Sequence, residues 1–306
     1  MVDQLPAFPV DSIDKWKDYF DRLLNEKNKC VVILPYYGEF GHFILHYVRC
    51  VEYIKAETKI VCCYPGDESF FPSATGFYYD WQNPFHDNER CGFRDRWFFT
   101  EDINETPIEK QLRQRLLTIF REYEHIRIDY PMPLERLVIT DVPFRIKQLD
   151  EAIAPKLDVV ICARHRQPIN SKEDSSLRNW PYWEQLISGL AENGYKIGIV
   201  GKEYSTFQFS NASLVKSWNF PNETKFMFNM LTNCRLFIGT DTGPTHLATW
   251  LARQLIIFRL QDGSPDFLTN VVEPVTARLG KRCLRMDESW DDPYNILRKA
   301  LNMLKE

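Results

Sequence analysis

The sequence predicts an α/β protein with two domains, each built on a parallel sheet. The chain has 306 residues, which is more than a single hydrophobic core usually serves. Short apolar runs alternate with segments of helical length, and this alternation is typical of βαβ units. The alternation occurs in two successive series. We therefore expect an N-terminal domain at 1–150 and a C-terminal domain at 151–306.

The first series starts with an amphipathic helix and a strand. Its predicted elements are a helix at 13–24, a strand at 30–37, a helix at 43–55, a strand at 59–64, a helix near 106–123 and strands at 126–129 and 137–140. Within this series, the stretch at about 65–100 is rich in aromatic residues and turn formers and has no sustained period. It is too aromatic for a disordered segment. We interpret it as a long packed insertion.

The second series follows a predicted linker at 141–158. Strands are expected at 159–163, 195–200, 235–238 and 254–260, and helices near 181–193, 223–233, 244–252 and 291–306. In open parallel sheets, ligands bind beyond the carboxyl ends of the strands. The polar residues that follow each strand are therefore the candidates for function.

The most informative stretch is 236–252, LFIGTDTGPTHLATWLA. An apolar run leads through a tight polar turn into a helix whose first turn holds residues 242–246. The first N–H groups of a helix lack partners and carry the positive end of its dipole. Gly243 has no side chain to block an approach, so a phosphate could bind these amides. The alternative is an ordinary connection capped by Asp241 or Thr242.

The same stretch resembles the D-[ST]-G-x-x-H-x-A signature of the heptosyltransferase-like glycosyltransferases, family 9 of the GT-B fold. Here it reads Asp241-Thr242-Gly243-Pro244-Thr245-His246-Leu247-Ala248. The resemblance implies two Rossmann-like domains that face a central cleft, with the acceptor bound by the first domain and the nucleotide-sugar donor by the second. It also implies that these residues surround the diphosphate of a nucleotide-sugar donor. The implied donor-binding residues are Asp241, Thr242, Gly243, Thr245 and His246.

Basic residues follow the strand at 159–163. Arg164 and Arg166 stand directly after it, and guanidinium groups suit phosphate oxygens. A solvated basic loop is the alternative. The family places a basic residue two positions before a Trp-Pro pair, and Arg178 stands two positions before Trp180. The resemblance therefore implies that Arg178 also contacts the diphosphate.

An acidic residue follows the strand at 195–200. In the resembling enzymes such a residue meets the nucleoside ribose, whose vicinal hydroxyls need an acceptor. Glu203 is the implied residue here, and Lys202 is the alternative for the side chain that points to the donor.

A carboxylate also follows the strand at 30–37. Gly38 and Gly41 flank Glu39 before the next helix, which permits a tight loop that exposes the acid. The alternative is that Glu39 only complements the helix dipole. The stretch is similar to the first family motif, Gly-Asp before a helix, in which the acid is the catalytic base. The resemblance thus implies Glu39 as the base, with Gly38 and His42 on the acceptor side.

Composition and charge narrow the function classes. The chain is 44% apolar and 26% charged, as expected for a folded domain, and its net charge of −4 argues against nucleic-acid binding. It shows no secretory signal pattern and no apolar run long enough to span a membrane. Eight cysteines occur without a C-x-x-C spacing, which favours a reduced, cytoplasmic protein. The sequence contains no D-x-D triplet and no histidine spacing typical of metal sites, so we expect neither a metal nor a cofactor.

Together with the resemblance, these residues predict an inverting, metal-independent glycosyltransferase. It would move a sugar from a nucleotide-diphosphate donor to a hydroxyl of a glycan or glycolipid acceptor. Inversion is implied because one displacement with one base inverts the anomeric centre. Two alternatives stay open, a nucleotide-sugar binding protein without transfer and a GT-B-like sugar-nucleotide epimerase. The donor base and sugar, the acceptor, peripheral membrane contact and the oligomeric state are also left open.

Overall fold

The structure, a computed structural model, divides into two compact units, Met1–Gln148 and Leu149–Glu306. It describes residues 30–35, 41, 43–63, 66–79, 107–126, 155–165, 179–210, 213–220, 223–258, 272–287 and 290–306. The predicted helix at 13–24, the strand at 137–140 and most of the predicted insertion and linker lie outside these residues. The assignment of acceptor binding to the first domain and donor binding to the second stays a prediction.

The described part of the N-terminal unit contains a four-stranded parallel sheet in the order β3-β2-β1-β4. Its strands are β1 (Cys30–Ile33), β2 (Thr58–Cys62), β3 (Gly76–Tyr78) and β4 (Glu124–Ile126). Val31, Val32 and Ile33 in β1 are fully buried, as expected for a central strand of a parallel sheet. β3 was missed within the stretch interpreted as an insertion, because it is three residues long and only half-buried.

The segment after β1 winds as a π-helix at Phe43–Tyr47 and continues as α1 (Val48–Tyr53). The sequence predicted one regular helix here. The Tyr47 hydroxyl donates a 2.7 Å hydrogen bond to the carbonyl of Leu34, and the Phe43 ring packs edge-on against Phe70 and Phe71. These two phenylalanines, in the first part of the predicted insertion, are fully buried. The next described helix of this unit is α2 (Pro107–Ile119).

The C-terminal unit contains a six-stranded parallel sheet in the order β10-β9-β8-β5-β6-β7. Its strands are β5 (Val159–Cys162), β6 (Ile197–Ile199), β7 (Val215–Lys216), β8 (Leu236–Thr240), β9 (Gln254–Phe258) and β10 (Arg282–Arg285). Successive strands are added on one side of β5 up to β7, and then on its other side from β8 onwards. The order therefore reverses between β5 and β8, which makes the carboxyl ends of these two strands the expected ligand position.

Among the described residues, five helices pack with this sheet. They are α3 (Trp183–Glu192), α4 (Glu223–Asn233), α5 (Gly243–Leu251), α6 (Glu273–Arg278) and α7 (Pro293–Lys305). The short elements β7, α6 and β10 were missed by the sequence analysis, since two to six residues are too few for a clear period. None of the helices among the described residues is both long and apolar enough to cross a membrane.

The core of the C-terminal unit is strongly aromatic. Trp183 and Leu186 are fully buried. Trp180 packs edge-on against Trp183 and at 5.0 Å from the ring of Phe258, and its indole N–H donates to the carbonyl of Trp290 at 2.7 Å. Trp180 therefore serves the core, although it belongs to the Trp-Pro pair quoted for the family.

The cysteines behave as small apolar residues. All seven in the described part of the chain are free thiols. Burial raises the pKa of Cys50, Cys62 and Cys234 to about 12, so these thiols stay protonated at neutral pH and pack as small hydrophobes.

Lys281 closes the C-terminal end of α5, the helix that carries the family signature. Its Nζ atom donates to the carbonyls of Thr249 at 3.0 Å and Trp250 at 2.6 Å. The last carbonyls of a helix lack intrahelical partners, and a cation there also meets the negative end of the dipole. Partial burial lowers the pKa of Lys281 to about 8. Lys281 therefore satisfies two backbone groups with a charge that is itself partly desolvated.

We predict that Lys281→Met lowers the free energy of unfolding by about 1 kcal/mol, a low value for a charged donor because Lys281 is partly exposed. The pKa of Lys281 is near 10.5 in the unfolded chain and near 8 in the folded chain. The unfolded state thus binds more protons between these values, so the contribution of Lys281 rises with pH across this window.

Urea unfolding of both proteins between pH 7.5 and pH 10.5, values that bracket this range, measures the effect. The difference in the free energy of unfolding between wild type and variant should widen as the pH rises. Both proteins contain the same buried cysteines, so taking this difference cancels most of their contribution. Lys299→Met, at an exposed position of α7, is the matched control and should change stability little at any pH. A difference that stays constant or narrows with pH would contradict the assignment.

Candidate functional site

The candidate site lies where β5 and β8 end side by side. These strands pair in parallel, with Cys162 opposite Gly239. The chain then continues to Arg164 after β5 and to Asp241 and Thr242 after β8. The reversal of strand order therefore brings together two segments that the sequence analysis had marked separately.

Thr242 caps α5. Its backbone is extended, with φ −151° and ψ 161°, and its hydroxyl oxygen accepts a 3.4 Å hydrogen bond from the Thr245 amide. The His246 amide donates to the Thr242 carbonyl at 3.1 Å, and Pro244 has no N–H to satisfy. Within the described residues, no acceptor takes up the Gly243 amide. In the part of the chain that the structure describes, the first turn thus leaves the Gly243 amide available to a ligand.

The carboxylate of Asp241 is directed to the same helical turn. Its Oδ1 atom lies 3.1 Å from Nε2 of His246, and the two side chains are only 16% and 5% exposed. A carboxylate is favourable near a helix N-terminus. This contact also directs the negative charge of Asp241 to the imidazole ring, so Asp241 and His246 act as a pair that holds the turn.

Arg164 extends from the end of β5 towards the same turn. Its Nη1 atom donates to the Asp241 carbonyl at 3.0 Å. An antiparallel bridge to Thr206 fixes the backbone around Arg164. On one side of it, the His165 amide donates to the Ser205 carbonyl at 2.8 Å. On the other, the Phe207 amide donates to the Ala163 carbonyl at 2.9 Å. A guanidinium group is thereby held beside the positive end of α5, an arrangement that suits a phosphate.

Cys162 joins the site from the end of β5. Its Sγ atom lies 3.3 Å from the Thr242 hydroxyl oxygen, and burial raises the pKa of the thiol to about 11. The sequence analysis assigned no role to this cysteine. Its partner lies 80 residues further along the chain, so no local pattern could have revealed the contact.

The segment after β6 reaches the same edge of the sheet, next to β5. Gly201 has a φ of 128°, a backbone conformation that favours glycine, and a short 3₁₀ helix follows at Glu203–Ser205. Lys202 is paired with Glu223 through a 2.6 Å Nζ–Oε2 contact, whereas the side chain of Glu203 is exposed. Of the two alternatives, the structure leaves Glu203 with the more accessible charge. Glu223 was not predicted.

The remaining predicted site residues lie outside the described residues. They are Gly38, Glu39, His42, Arg166 and Arg178. The structure thus brings together Arg164, Glu203 and the turn at 241–246 at one edge of the sheet, and contact of any of them with a donor stays a prediction.

Comparison with known protein families shows which family the chain belongs to. The sequence model of glycosyltransferase family 9 (heptosyltransferase) matches residues 87–262, which is more than half of the chain. The protein belongs to glycosyltransferase family 9. It is therefore a glycosyltransferase. The matched range includes Arg164, Glu203 and the turn at 241–246, and it excludes Glu39.

Solved structures show the same fold. A family 9 glycosyltransferase from Veillonella parvula DSM 2008 aligns over 92% of this chain and 99% of its own, with a TM-score of 0.53 and 13% identity. The ADP-heptose LPS heptosyltransferase II of E. coli aligns over 90% of this chain and 98% of its own, with a TM-score of 0.50 and 14% identity. No curated protein sequence matches the chain. These likenesses confirm the GT-B fold with its two parallel-sheet α/β domains.

We predict that Arg164→Met weakens the binding of inorganic pyrophosphate roughly ten- to a hundredfold, the usual cost of a lost charge-assisted contact of about 1.5–3 kcal/mol. Calorimetric titration measures the dissociation constant. Arg235→Met is the matched control, because Arg235 stands at the opposite end of β8 and pairs with Asp158 at 3.3 Å. Equal weakening in both variants would show that general charge, rather than the site, attracts the anion.

Proposed function

We propose that the protein transfers a sugar from a nucleotide-diphosphate donor to a hydroxyl of a glycan or glycolipid, with inversion and without a metal ion. The main support is the electropositive turn at the end of β8, where an open helix N-terminus and the Arg164 guanidinium stand together. This turn carries the family signature at the topological switch point of the sheet. The reaction would serve the assembly of a polysaccharide or glycolipid.

The residues of this turn would stabilise the leaving group. When the glycosidic bond of the donor breaks, negative charge develops on the departing diphosphate. Hydrogen-bond donors that are already oriented towards that charge lower the activation barrier most. Arg164 and the Gly243 amide would supply such donors, and we propose that Arg166 and Arg178 add further positive charge. With these groups available, no metal ion is required to neutralise the diphosphate.

The carboxylate of Glu39 would act as the base. It would accept the proton of the acceptor hydroxyl as that oxygen attacks the anomeric carbon, while Gly38 and His42 line the acceptor side. A single displacement of this kind inverts the anomeric configuration. The support for Glu39 is its position in a Gly-Glu pair between a strand and a helix.

The donor would be recognised beside the same turn. We propose that the exposed carboxylate of Glu203 accepts hydrogen bonds from the ribose hydroxyls. The similar E. coli protein is named an ADP-heptose LPS heptosyltransferase, so ADP-linked sugars and a lipopolysaccharide-type acceptor are the first combination to test. Free thiols at all seven described cysteines support a reducing, cytoplasmic location, and a glycolipid acceptor would entail peripheral membrane contact.

We predict that Glu39→Gln lowers transfer by roughly 10²–10⁴-fold, the usual effect of losing a positioned general base. The amide keeps the volume of the side chain but cannot take up the proton. Donor affinity should stay nearly unchanged, and Glu39→Asp should retain more activity than Glu39→Gln. Transfer is measured with ADP-linked sugars and a lipopolysaccharide-core acceptor, and NMR reads the anomeric configuration of the product.

Three results would correct the proposal in different places. Near-wild-type transfer by Glu39→Gln would remove Glu39 from the mechanism. A product that retains the donor configuration would reject the single displacement. Donor binding without transfer to any acceptor in the panel would favour the nucleotide-sugar binding protein.

We predict that transfer survives removal of divalent metal ions. Protein dialysed against EDTA and assayed in chelated buffer should keep its full rate, because cationic side chains and helix amides balance the leaving diphosphate. Added Mg²⁺ or Mn²⁺ should not raise the rate. A loss of transfer in EDTA that Mn²⁺ restores would show that a metal takes part.

A further inference from the structure

Thr245 lies in the first turn of α5, and its hydroxyl group makes hydrogen bonds within the protein. The residue is 0% exposed. Its hydroxyl donates to the Thr240 carbonyl, the last of β8, and its oxygen lies 3.0 Å from the hydroxyl oxygen of Thr242. A hydroxyl has one hydrogen and a carbonyl has none, so the Thr245 hydrogen goes to Thr240. The Thr242 hydroxyl must then donate to Thr245.

The same reasoning fixes the direction of two further contacts of the Thr242 hydroxyl oxygen. It accepts from the Thr245 amide at 3.4 Å. At the 3.3 Å contact with Cys162 it is also the acceptor, because its own hydrogen is already used. The thiol can serve as donor there, since burial raises the pKa of Cys162 to about 11 and keeps it protonated. The hydrogen bonds therefore run in one direction, from Cys162 through Thr242 and Thr245 to the Thr240 carbonyl.

We propose that Thr245 is a positioning residue of the donor site, which directs the Thr242 hydroxyl away from the diphosphate. The anion would then meet the backbone amide of Gly243 and the guanidinium of Arg164, held in place before the ligand arrives. Groups fixed in advance bind more tightly, because less ordering is required on binding. This inference rests on the proposed function, and it assigns to Thr242 and Thr245 an indirect role in donor binding.

Gly239 in β8 supports this assignment independently. A Cβ atom at this position would lie 2.9 Å from the Thr245 hydroxyl oxygen and 2.8 Å from a ring atom of Phe237. Real Cβ atoms essentially never approach that closely. A glycine in the interior of a strand weakens it. Its presence here leaves the space that the Thr245 hydroxyl occupies.

The test compares three variants. Thr245→Val keeps the shape of the side chain and removes the hydroxyl, whereas Thr245→Ser keeps the hydroxyl. Thr249→Val is the matched control, since Thr249 is 1% exposed on the same helix and its hydroxyl donates to the Thr245 carbonyl at 2.9 Å. The readouts are the calorimetric dissociation constant for ADP, amide hydrogen exchange of residues 242–246, and the melting temperature.

Thr245→Val should weaken ADP binding roughly three- to tenfold, the value of about one hydrogen bond, and should speed exchange in the first turn of α5. Thr245→Ser should match wild type in both readouts. Thr249→Val should lower the melting temperature with unchanged ADP affinity.

The proposal is overturned if Thr245→Val binds ADP as wild type does, or if Thr249→Val weakens ADP binding equally. It is also overturned if Thr245→Ser is as weak as Thr245→Val, because the methyl packing would then be responsible. Failure of the proposed function has a different signature. The wild-type protein would then bind neither ADP nor other nucleoside diphosphates, while exchange in the first turn still responded to Thr245→Val.

Discussion

The turn between β8 and α5 contains backbone groups that neither the strand nor the helix can pair, and the site depends on how they are satisfied. The Thr240 carbonyl accepts from the Thr245 hydroxyl, and the Thr245 amide donates to the Thr242 hydroxyl. The Asp241 carbonyl accepts from Arg164. What these contacts leave over is a backbone donor beside a guanidinium group. Of the groups that the structure describes, the Gly243 amide and the Arg164 guanidinium are thus those at this turn that we propose for anion binding.

The strand order of the sheet brings a second positively charged group, the Arg164 guanidinium, to this turn. Because the strand order reverses between β5 and β8, the carboxyl ends of these two strands are neighbours, and the Arg164 side chain reaches the turn after β8. Arg164 can therefore support the turn through the Asp241 carbonyl and still add its charge to the positive end of α5. At the other end of α5, Lys281 covers the carbonyls of Thr249 and Trp250. The helix is closed at its negative end and left accessible at its positive end, as a binding site for phosphate requires.

The sequence predicted the parts of this arrangement that depend on local periodicity. The helix α4 begins and ends at the predicted residues, and the strand, turn and helix around the signature lie where the apolar runs placed them. The elements β7 and β10 escaped because two and four residues give no measurable period. The contact of Cys162 with Thr242 escaped for a different reason, since it depends on the strand order and therefore on how the whole sheet is assembled.

The signature itself mixes two kinds of residue. Thr245 is buried and holds the turn, and Asp241 and His246 hold each other, so these three contribute to the geometry that a ligand meets. Gly243 and, from another strand, Arg164 offer the donors. A match to the signature therefore indicates first that the turn has this hydrogen-bonding arrangement. Under the proposed function, its meaning for binding follows from the groups that the turn leaves unpaired. Residues that the ligand does not touch would then belong to a binding motif because they shape the turn.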